Sequence, residues 1–374
     1  MLRHREKDQN KSVDSKFSTS KLNENTNKKA NNGSIHHIRG LRFFKKVAVL
    51  VFIIYGIVPL AFYVSPFIRR CFIFAHLVNY PPFFWLSTPE YFGLNHARHM
   101  MLNNDNIKLG VWHILPKSQA KRWKITPESV VQEDFKDKRP VFLYLHGHCE
   151  NRGAGYRLNL YKVLSESKVD GHVVTFDYRG YGDSSGTPTA SGVVNDSRAV
   201  YSWIRHHVDK KRIIIWGHSL GTAIALKLAK ELAREGEHPK AIILESPFNS
   251  IREAAQNYPL GTVMNFMPYF RSLIMEPLRH EETSFESDEI IDQIATPILI
   301  VHSPNDWLVP YHLGKKLYER ALLNRPSNYG PVQFIDIDKT GEIGCGHRWV
   351  SWDPDLPNIV IKFLNSLKLK NKLN

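Results

Sequence analysis

The 374-residue sequence contains only three cysteines, and this scarcity limits what can hold the fold together. A disulfide framework needs several cysteine pairs, and a zinc site needs ligands that are only a few residues apart. Cys71, Cys149 and Cys345 meet neither condition, although a single bridge between the last two is left open. The sequence therefore predicts a fold that depends on its apolar core rather than on disulfides or a structural metal.

Basic residues are numerous, but beyond residue 103 the chain lacks the basic clusters with interleaved aromatic residues that bind nucleic acid. The net charge is +14, and residues 1–46 carry +8 of it. This segment is rich in Lys, Asn and Ser and poor in aromatic residues, so it cannot bury enough apolar surface to fold alone. We predict that residues 1–46 form a disordered basic tail, and we expect no nucleic-acid partner.

Long apolar runs are also scarce, and the one clear example is VAVLVFIIYGIVPLAFYVSPFI over residues 47–68. A run of this length is enough to cross roughly 30 Å of hydrocarbon. A buried core helix and a cleaved signal peptide are the alternatives. Core helices of this length rarely lack charge, and a signal peptide would have a shorter N-terminal region and a small-residue cleavage site. We predict a single transmembrane helix over residues 47–68.

The charges that flank this run predict its orientation. Residues 39–46 contain four basic residues and no acidic one, whereas only Arg69 and Arg70 follow the run closely. Because cytoplasmic flanks carry the excess of basic residues, we predict a cytoplasmic tail and a folded body on the lumenal or outer side. Residues 69–103 are rich in aromatic residues and are predicted to lie at the lipid headgroups, with packing against the body as the alternative.

From about residue 104, short apolar runs alternate with segments of helical periodicity. Several runs are apolar on both faces, which is typical of strands in a parallel sheet that is covered on both sides. We therefore predict an α/β fold over residues 104–374, with a mainly parallel sheet and helices on both of its faces. The predicted strands are 108–115, 141–145, 172–176, 212–216, 241–244, 297–301 and 332–337, and the predicted helices are 156–165, 197–207, 220–234, 313–322 and 359–367.

Residues 247–290 interrupt this alternation and are predicted to form a cap over the ends of the strands. Their Met and Phe residues would suit a flexible acyl chain, but the same pattern is typical of simple packing, and both interpretations stay open. Arg271, Arg279 and His280 in this segment could meet a lipid phosphate, although a solvated basic face is the favoured interpretation.

The strongest catalytic motif is Gly217-His218-Ser219-Leu220-Gly221, which lies between a predicted strand and a predicted amphipathic helix. In this context the pattern is typical of a nucleophile elbow, a sharp turn that exposes a serine at the top of a sheet. Side chains at the two glycine positions would obstruct such a turn. Ser219 is the predicted nucleophile, and the amide of Leu220 in the first helical turn is a predicted oxyanion donor.

A nucleophilic serine needs a base and an acid that orients the base, and on such a sheet they follow in the order serine, acid, histidine. His347 follows the last predicted strand in a Gly-rich loop and is the predicted base. Two acids directly follow predicted strands, Asp306 in HSPNDWLVP and Glu245 after strand 241–244. We favour Asp306, because its loop follows the penultimate strand and contains prolines that would expose the carboxylate; a salt bridge or hydrogen bond would account for Glu245.

The second oxyanion donor is expected in the loop after strand 141–145, where His146-Gly147-His148-Cys149 stands. Gly147 allows the backbone to turn closely, and the amide of His148 is the predicted donor. His146 is expected to brace the loop by hydrogen bonding. Chemistry of this kind needs no metal and no cofactor, so neither is predicted.

Four stretches in order, HGHCENRGAGYRLNLYKVL, VVTFDYRGYGDSSGTP, IIIWGHSLGTAIA and ILESPFNSIREAA, together with HSPNDWLVP, resemble the α/β-hydrolase domain-containing group 12. These are membrane-anchored lysophosphatidylserine and monoacylglycerol lipases. The resemblance implies a catalytic body on the lumenal side of the endoplasmic reticulum, with nucleophile, acid and base on Ser219, Asp306 and His347. The sequence departs from the family pattern at His148, because the oxyanion loop of the family usually reads His-Gly-Asn.

The residues and the resemblance together predict a membrane-anchored serine hydrolase with an α/β-hydrolase fold. Its expected substrates are acyl esters of lysophospholipids and monoacylglycerols, cleaved through an acyl-enzyme intermediate. A membrane-bound peptidase or protein thioesterase on the same fold is an alternative, as is a non-catalytic lipid-binding relative. The oligomeric state is not predicted.

Overall fold

The N-terminal part of the structure is one long helix, α1 (Arg39–Val64), in a computed structural model that describes residues 39–119, 134–267, 269–338 and 346–370. Within these ranges α1 is the one helix long enough and apolar enough to span a membrane, and few of its residues are buried. The tail predicted over residues 1–46 is too long, because residues 39–46 are helical; the Leu, Arg and Lys among them favour a helix. Residues 1–38 lie outside the described ranges.

Helix α1 contains a wider, π-helical turn at Ile53–Ile57, in which the amide of Val58 donates a hydrogen bond to the carbonyl of Ile53. The turn ends two residues before Pro59, which has no amide proton and whose ring crowds the carbonyl four residues earlier. Such turns are a common way for a helix to accommodate an interruption in its hydrogen bonds.

The apolar run predicted as a single helix over residues 47–68 is divided in two. Ser65 is extended, with φ −108° and ψ 108°, because a residue that precedes proline avoids the helical conformation. The Ser65 side chain then accepts a hydrogen bond from the amide of Ile68 and begins helix α2 (Pro66–Phe74). Helix α2 therefore covers the end of the predicted transmembrane helix and the start of the predicted interfacial segment.

One sheet in the described part of the chain contains β1 (Ala97–Asn104), β2 (Ile107–Ile114), β3 (Val141–Leu145), β4 (His172–Phe176), β5 (Ile213–His218), β6 (Ala241–Glu245), β7 (Ile298–His302) and β8 (Val332–Asp336). Its strand order is β1-β2-β4-β3-β5-β6-β7-β8. Strand β2 is antiparallel to β1 and to β4, whereas every pair from β4 to β8 is parallel. The predicted α/β fold with a mainly parallel sheet is thereby confirmed.

Strand β1 was not predicted, and it lies inside the segment assigned to the membrane interface. Its sequence, ARHMMLNN, has no β-branched residue, so little in its composition indicates a strand. The segment forms a strand because it pairs with β2 over its whole length, and a tight turn with Asp105 at φ 53° joins the two strands. The boundary predicted between residues 103 and 104 is therefore wrong, because the sheet begins at Ala97.

Helices follow most strands and cover the sheet: α3 (Gly155–Glu166), α4 (Ala190–His207), α5 (Leu220–Arg234), α6 (Ile251–Asn257), α7 (Pro259–Met264), α8 (Tyr311–Asn324) and α9 (Leu356–Lys370). One continuous core lies between the sheet and helices α3 and α9. Alternate strand residues such as Phe142, Trp216 and Leu299 enter that core, and the residues between them, such as Leu143 and Ile215, are equally buried. Because successive side chains of a strand point to opposite faces, both faces of the sheet are covered.

The segment between β6 and β7 forms short helices rather than another strand and helix. Helices α6 and α7 are followed by a π-helical turn at Arg271–Met275 and a 3-10 turn at Glu276–Arg279. Ser250 and Glu286 pair as an isolated β-bridge, which brings the two ends of the segment together. The cap predicted over residues 247–290 thus corresponds to a distinct insertion between two neighbouring strands.

Candidate active site

Ser219 lies on a sharp turn between the end of β5 and the start of α5. Its backbone has φ 52° and ψ −119°, a conformation that costs a non-glycine residue free energy. The turn is held in place, because the Ser219 amide donates to the carbonyl of Glu245 at 2.9 Å and the Ser219 carbonyl accepts from the Thr222 hydroxyl at 2.6 Å. The strained elbow therefore presents the serine at the C-terminal edge of the sheet.

The two glycines of the motif are required by close backbone contacts. A Cβ atom on Gly217 would lie 2.3 Å from the carbonyl oxygen of Gly221, and one on Gly221 would lie 2.0 Å from that of Leu145. Both neighbours are backbone atoms, so they cannot move aside as the end of a flexible side chain could. The close approach of α5 to β5 therefore depends on Gly217, and its close approach to β3 depends on Gly221.

We expect Gly221→Ala to lower the free energy of unfolding by about 3 kcal/mol, because α5 must move away from β3 to make room for the methyl group. Gly155→Ala is the matched control: its added Cβ would meet no atom within 4 Å, and Ala favours the helix in which it lies. Denaturant unfolding of the purified protein measures both changes. Equal stability of the two variants would contradict the close packing at Gly221.

His347 and Asp306 come from two separate loops and are joined by a hydrogen bond of 2.7 Å between His347 Nδ1 and Asp306 Oδ2. The second carboxylate oxygen of Asp306 accepts from the amides of Leu308 at 3.0 Å and Val309 at 2.8 Å. Behind it, His302 Nε2 lies 3.3 Å from Asp306 Oδ2. Asp306 thus has polar partners on both of its oxygens.

These contacts keep Asp306 ionised. Burial by itself raises the pKa of the carboxyl, but the nearby His347 and the hydrogen bonds from His302 and His347 outweigh burial, and the pKa lies well below its usual range. An ionised carboxylate can only accept hydrogen bonds, so Nδ1 of His347 is the donor. In the neutral imidazole this leaves the Nε2 lone pair available as a base.

Glu245, the alternative acid, has a different partner. It is buried, and its carboxylate accepts a hydrogen bond of 2.7 Å from the indole nitrogen of Trp216. Burial raises the pKa of Glu245 to about 7, although the Trp216 hydrogen bond and His347 act in the opposite direction. The structure therefore brings His347 together with Asp306. Glu245 instead makes a structural hydrogen bond, which is the role that the sequence analysis offered for it.

The loop after β3 brings its backbone to Ser219. A Cβ on Gly147 would lie 3.1 Å from Cβ of Ser219, so the backbone of this loop passes directly beside the serine. Cys149 and Glu150 have φ 68° and 58°, and their amides donate to the carbonyls of Phe74 at 3.0 Å and Val78 at 3.1 Å. The segment that follows α2 therefore fixes the shape of the loop from outside.

The two histidines of this loop are in different surroundings. His146 is buried, with Nδ1 2.7 Å from the carbonyl oxygen of Gly147, which fits the expected bracing role. The His148 side chain lines the cavity, and burial together with the neighbouring His347 lowers the pKa of its imidazole to about 4. His148 is therefore a neutral residue at the edge of the site.

Ser219, Leu220, His148 and His347 all line one cavity of about 320 Å³. Much of the rest of its wall is apolar and comes from α2, from α6 with the residue that follows it, and from the loop after β7. These contributions are Cys71, Phe72, Ile73, Ile251, Ala254, Ala255, Tyr258, Leu308 and Val309. A largely apolar cavity that ends at a serine and a histidine can hold an alkyl chain and place a polar group at its end beside the two side chains.

Two expectations about the cap can be compared with the lining of this cavity. Met264, Met267 and Met275 are buried within the cap and do not line this cavity, whereas Met267 and Met275 line a second cavity within the cap. Arg279 is exposed, and its guanidinium lies 3.7 Å from Glu276; neither it nor Arg271 lines the cavity.

Cys345 lies outside the described residues, so the bridge left open between Cys149 and Cys345 falls there as well.

The sequence did not point to α2 or to Arg348 as parts of the site. Helix α2 directly continues the apolar run before it, and Ser65-Pro66 is the signal of the break between the two helices. Arg348 directly follows His347 and lines the same cavity. No pattern in the sequence distinguishes it from the many exposed basic residues of the chain.

Comparison with known proteins agrees with this geometry. The profile of the α/β hydrolase fold matches residues 140–274. Two solved structures share the fold: an esterase of Pyrococcus furiosus, Pf2001, with a TM-score of 0.54 at 19% identity over 75% of this chain and 94% of that one, and an α/β hydrolase of Vibrio vulnificus, with a TM-score of 0.54 at 17% identity over 80% and 94%. At such identities the likeness shows the fold alone.

The sequence of this chain is more similar to proteins named lysophosphatidylserine lipase ABHD12 than to these two solved structures. The protein of Danio rerio is 37% identical over 323 residues, which cover 86% of this chain and 84% of that protein, and the protein of Rattus norvegicus is 37% identical over 86% and 80%. Protein ABHD12B of Homo sapiens is 39% identical over 58% and 59%. This chain therefore belongs to the ABHD12 family of α/β hydrolases, and it is a hydrolase.

Proposed function

We propose that this chain is a membrane-anchored serine hydrolase that cleaves the acyl esters of lysophosphatidylserine and of monoacylglycerols. The observation that carries the proposal is the composition of one cavity, where the strained Ser219 elbow and the His347 ring bound to Asp306 meet an apolar channel. The relatives named lysophosphatidylserine lipase support the substrate class.

In the proposed reaction, Nε2 of His347 takes the proton of the Ser219 hydroxyl while the serine oxygen attacks the acyl carbon. The amides of Leu220 and His148 hold the negative charge that develops on the carbonyl oxygen. His347 then returns the proton to the leaving glycerol oxygen, and an acyl-enzyme remains. Water, activated by the same imidazole, releases the fatty acid, and Asp306 keeps the ring oriented throughout.

Helix α1 is the proposed membrane anchor. Its length and composition suit a single span, and the basic residues before it favour a cytoplasmic N-terminus. The segment that follows α2 supports contact with the lipid headgroups, because aromatic side chains such as Tyr80, Phe84 and Tyr91 are more than half exposed. We infer that the catalytic body is lumenal and, from the family resemblance, that the membrane is that of the endoplasmic reticulum.

Protease protection tests this orientation in sealed microsomes that contain the full chain with a different epitope tag at each end. We expect protease to remove the N-terminal tag and to leave the C-terminal tag intact. Detergent is the control, since it should expose both tags. Loss of the C-terminal tag from sealed vesicles would place the body in the cytoplasm and overturn the inferred orientation.

A substrate panel tests the activity itself. With one acyl chain, oleoyl, we expect the full-length protein in detergent micelles to hydrolyse lysophosphatidylserine and monoacylglycerol faster than an oleoyl thioester or a peptide. A fluorophosphonate should label Ser219, and an excess of either lipid should slow the labelling. Faster cleavage of the thioester or peptide would favour the alternative enzymes, and failure to label would favour a non-catalytic lipid-binding protein.

A further inference from the structure

A single arginine supplies the permanent positive charge in the wall of the active-site cavity. Among the described residues that line this cavity, Arg348 is the only Lys or Arg. It directly follows His347, and 40% of its side chain is exposed. Arg157, whose charge also lowers the pKa of His148, is fully buried and donates hydrogen bonds to backbone carbonyls, including that of Asn151 at 2.6 Å. Arg348 is therefore the cation that a bound molecule can reach.

The contacts of Arg348 leave its hydrogen-bond donors available. Its guanidinium lies 5.4 Å from the centre of the Tyr156 ring, and Nη1 lies 3.5 Å from Glu150 Oε1. Charged hydrogen bonds are usually about 2.7–2.9 Å long, so the pair with Glu150 is loose. A phosphate oxygen could replace the Glu150 contact without breaking a short hydrogen bond, and the flat ring of Tyr156 would keep the guanidinium in place.

The charge of Arg348 acts on the electrostatics of the cavity end that contains His148 and His347. Its positive charge is one of the influences that lower the pKa of His148, after burial and His347. The carbonyl of His347 accepts a hydrogen bond of 2.9 Å from His218 Nε2, which fixes the backbone between His347 and Arg348. Arg348 therefore projects from an anchored backbone position one residue away from the proposed base.

We propose that Arg348 binds the phosphodiester of a lysophospholipid headgroup and thereby gives the enzyme a preference for anionic phospholipids over neutral acylglycerols. In a lysophospholipid the phosphate lies a few bonds from the acyl ester on the same glycerol, which matches a cation one residue from His347. Glu150 competes for the same guanidinium, so it limits that preference. This inference rests on the proposed function and concerns only the headgroup.

The test compares the ratio of kcat/KM for oleoyl-lysophosphatidylserine to kcat/KM for oleoylglycerol in the same mixed micelles. We expect Arg348→Gln to lower this ratio by about tenfold, because charged hydrogen bonds to the phosphate are lost. Glu150→Gln should raise the ratio, since the competing carboxylate is gone. Arg279→Gln is the matched control, an exposed arginine outside the cavity wall, and should leave the ratio unchanged.

A third lipid separates binding of the phosphate from binding of the serine carboxylate. Oleoyl-lysophosphatidylglycerol has a phosphate but no carboxylate. Its kcat/KM should fall in Arg348→Gln by the same factor as the kcat/KM for lysophosphatidylserine. A loss confined to lysophosphatidylserine would instead assign Arg348 to the serine carboxylate and overturn the phosphodiester proposal.

The outcomes also separate this inference from the proposed function. An unchanged ratio in Arg348→Gln, with both lipids still hydrolysed, would overturn the headgroup proposal alone. No hydrolysis of any of these lipids by the wild-type protein would overturn the proposed function. If Arg348 only supported the loop through Glu150, both Arg348→Gln and Glu150→Gln would slow all substrates alike and fluorophosphonate labelling with them, and the ratio would not move.

Discussion

Ser219→Ala is expected to lower the rate of lysophosphatidylserine and monoacylglycerol hydrolysis by at least about a thousandfold. Without the hydroxyl no acyl-enzyme can form, and only the oxyanion amides and substrate positioning remain to assist direct attack by water. The alanine should relieve no strain, since any Cβ at this position meets the same φ of 52°. The fold should therefore persist, and hydrolysis by the purified variant measures the chemical loss.

The chain provides a closely matched control at the end of the neighbouring strand. Ser246 follows β6, is buried, and has the same φ of 52°, but it does not line the active-site cavity. Ser246→Ala should retain activity within a few fold. If Ser219→Ala kept its activity, or if a fluorophosphonate still labelled that variant, the nucleophile would have to be sought elsewhere.

Asp306→Asn is expected to lower kcat by about ten-thousandfold while the binding of substrate changes little. The asparagine amide can donate a hydrogen bond to Nδ1 of His347, which stabilises the tautomer with its proton on Nε2. That tautomer cannot accept the proton of Ser219, and the amide cannot stabilise the imidazolium that forms in the reaction. The measurement is kcat and KM with a soluble ester, together with the fluorophosphonate labelling rate.

Glu245→Gln discriminates between the two acids that follow strands. The glutamine carbonyl can still accept the hydrogen bond from Trp216, so we expect kcat to fall by less than about tenfold. A larger loss of kcat in Glu245→Gln than in Asp306→Asn would reverse the proposed roles of the two acids. It would mean that the hydrogen bond between Asp306 and His347 is not the one that the reaction requires.

The sheet from β2 to β8 and the serine elbow were predictable because each depends on local pattern. Runs such as RIIIW are apolar on both faces, and Gly217 and Gly221 mark a turn that only glycine allows. The choice between Asp306 and Glu245 depends on more than local pattern, since both follow a strand and sequence order alone does not say which carboxylate reaches His347. That depends on how two loops fold in space.

Other features could not be predicted because they depend on contacts between distant segments. Strand β1 has a composition that does not favour a strand and exists through its pairing with β2. Helix α2 continues an apolar run and becomes part of the cavity wall only through the turn at Ser65. The position of the Arg348 guanidinium depends on contacts with Tyr156 and Glu150, which are almost two hundred residues away in sequence.

The hydrogen bonds from Cys149 and Glu150 to Phe74 and Val78 determine where a soluble form of the enzyme can begin. Trimming at the start of the sheet would discard four residues that line the active-site cavity, Cys71, Phe72, Ile73 and Ala75, together with the carbonyls that hold the loop after β3. Removing residues up to Ala61 spares both, and it keeps Phe62 and Tyr63, whose carbonyls accept hydrogen bonds from the buried side chain of Arg69 in α2. The smallest unit that keeps the cavity wall intact therefore begins at Phe62, near the end of the proposed anchor helix, and expression vectors should be designed from that residue.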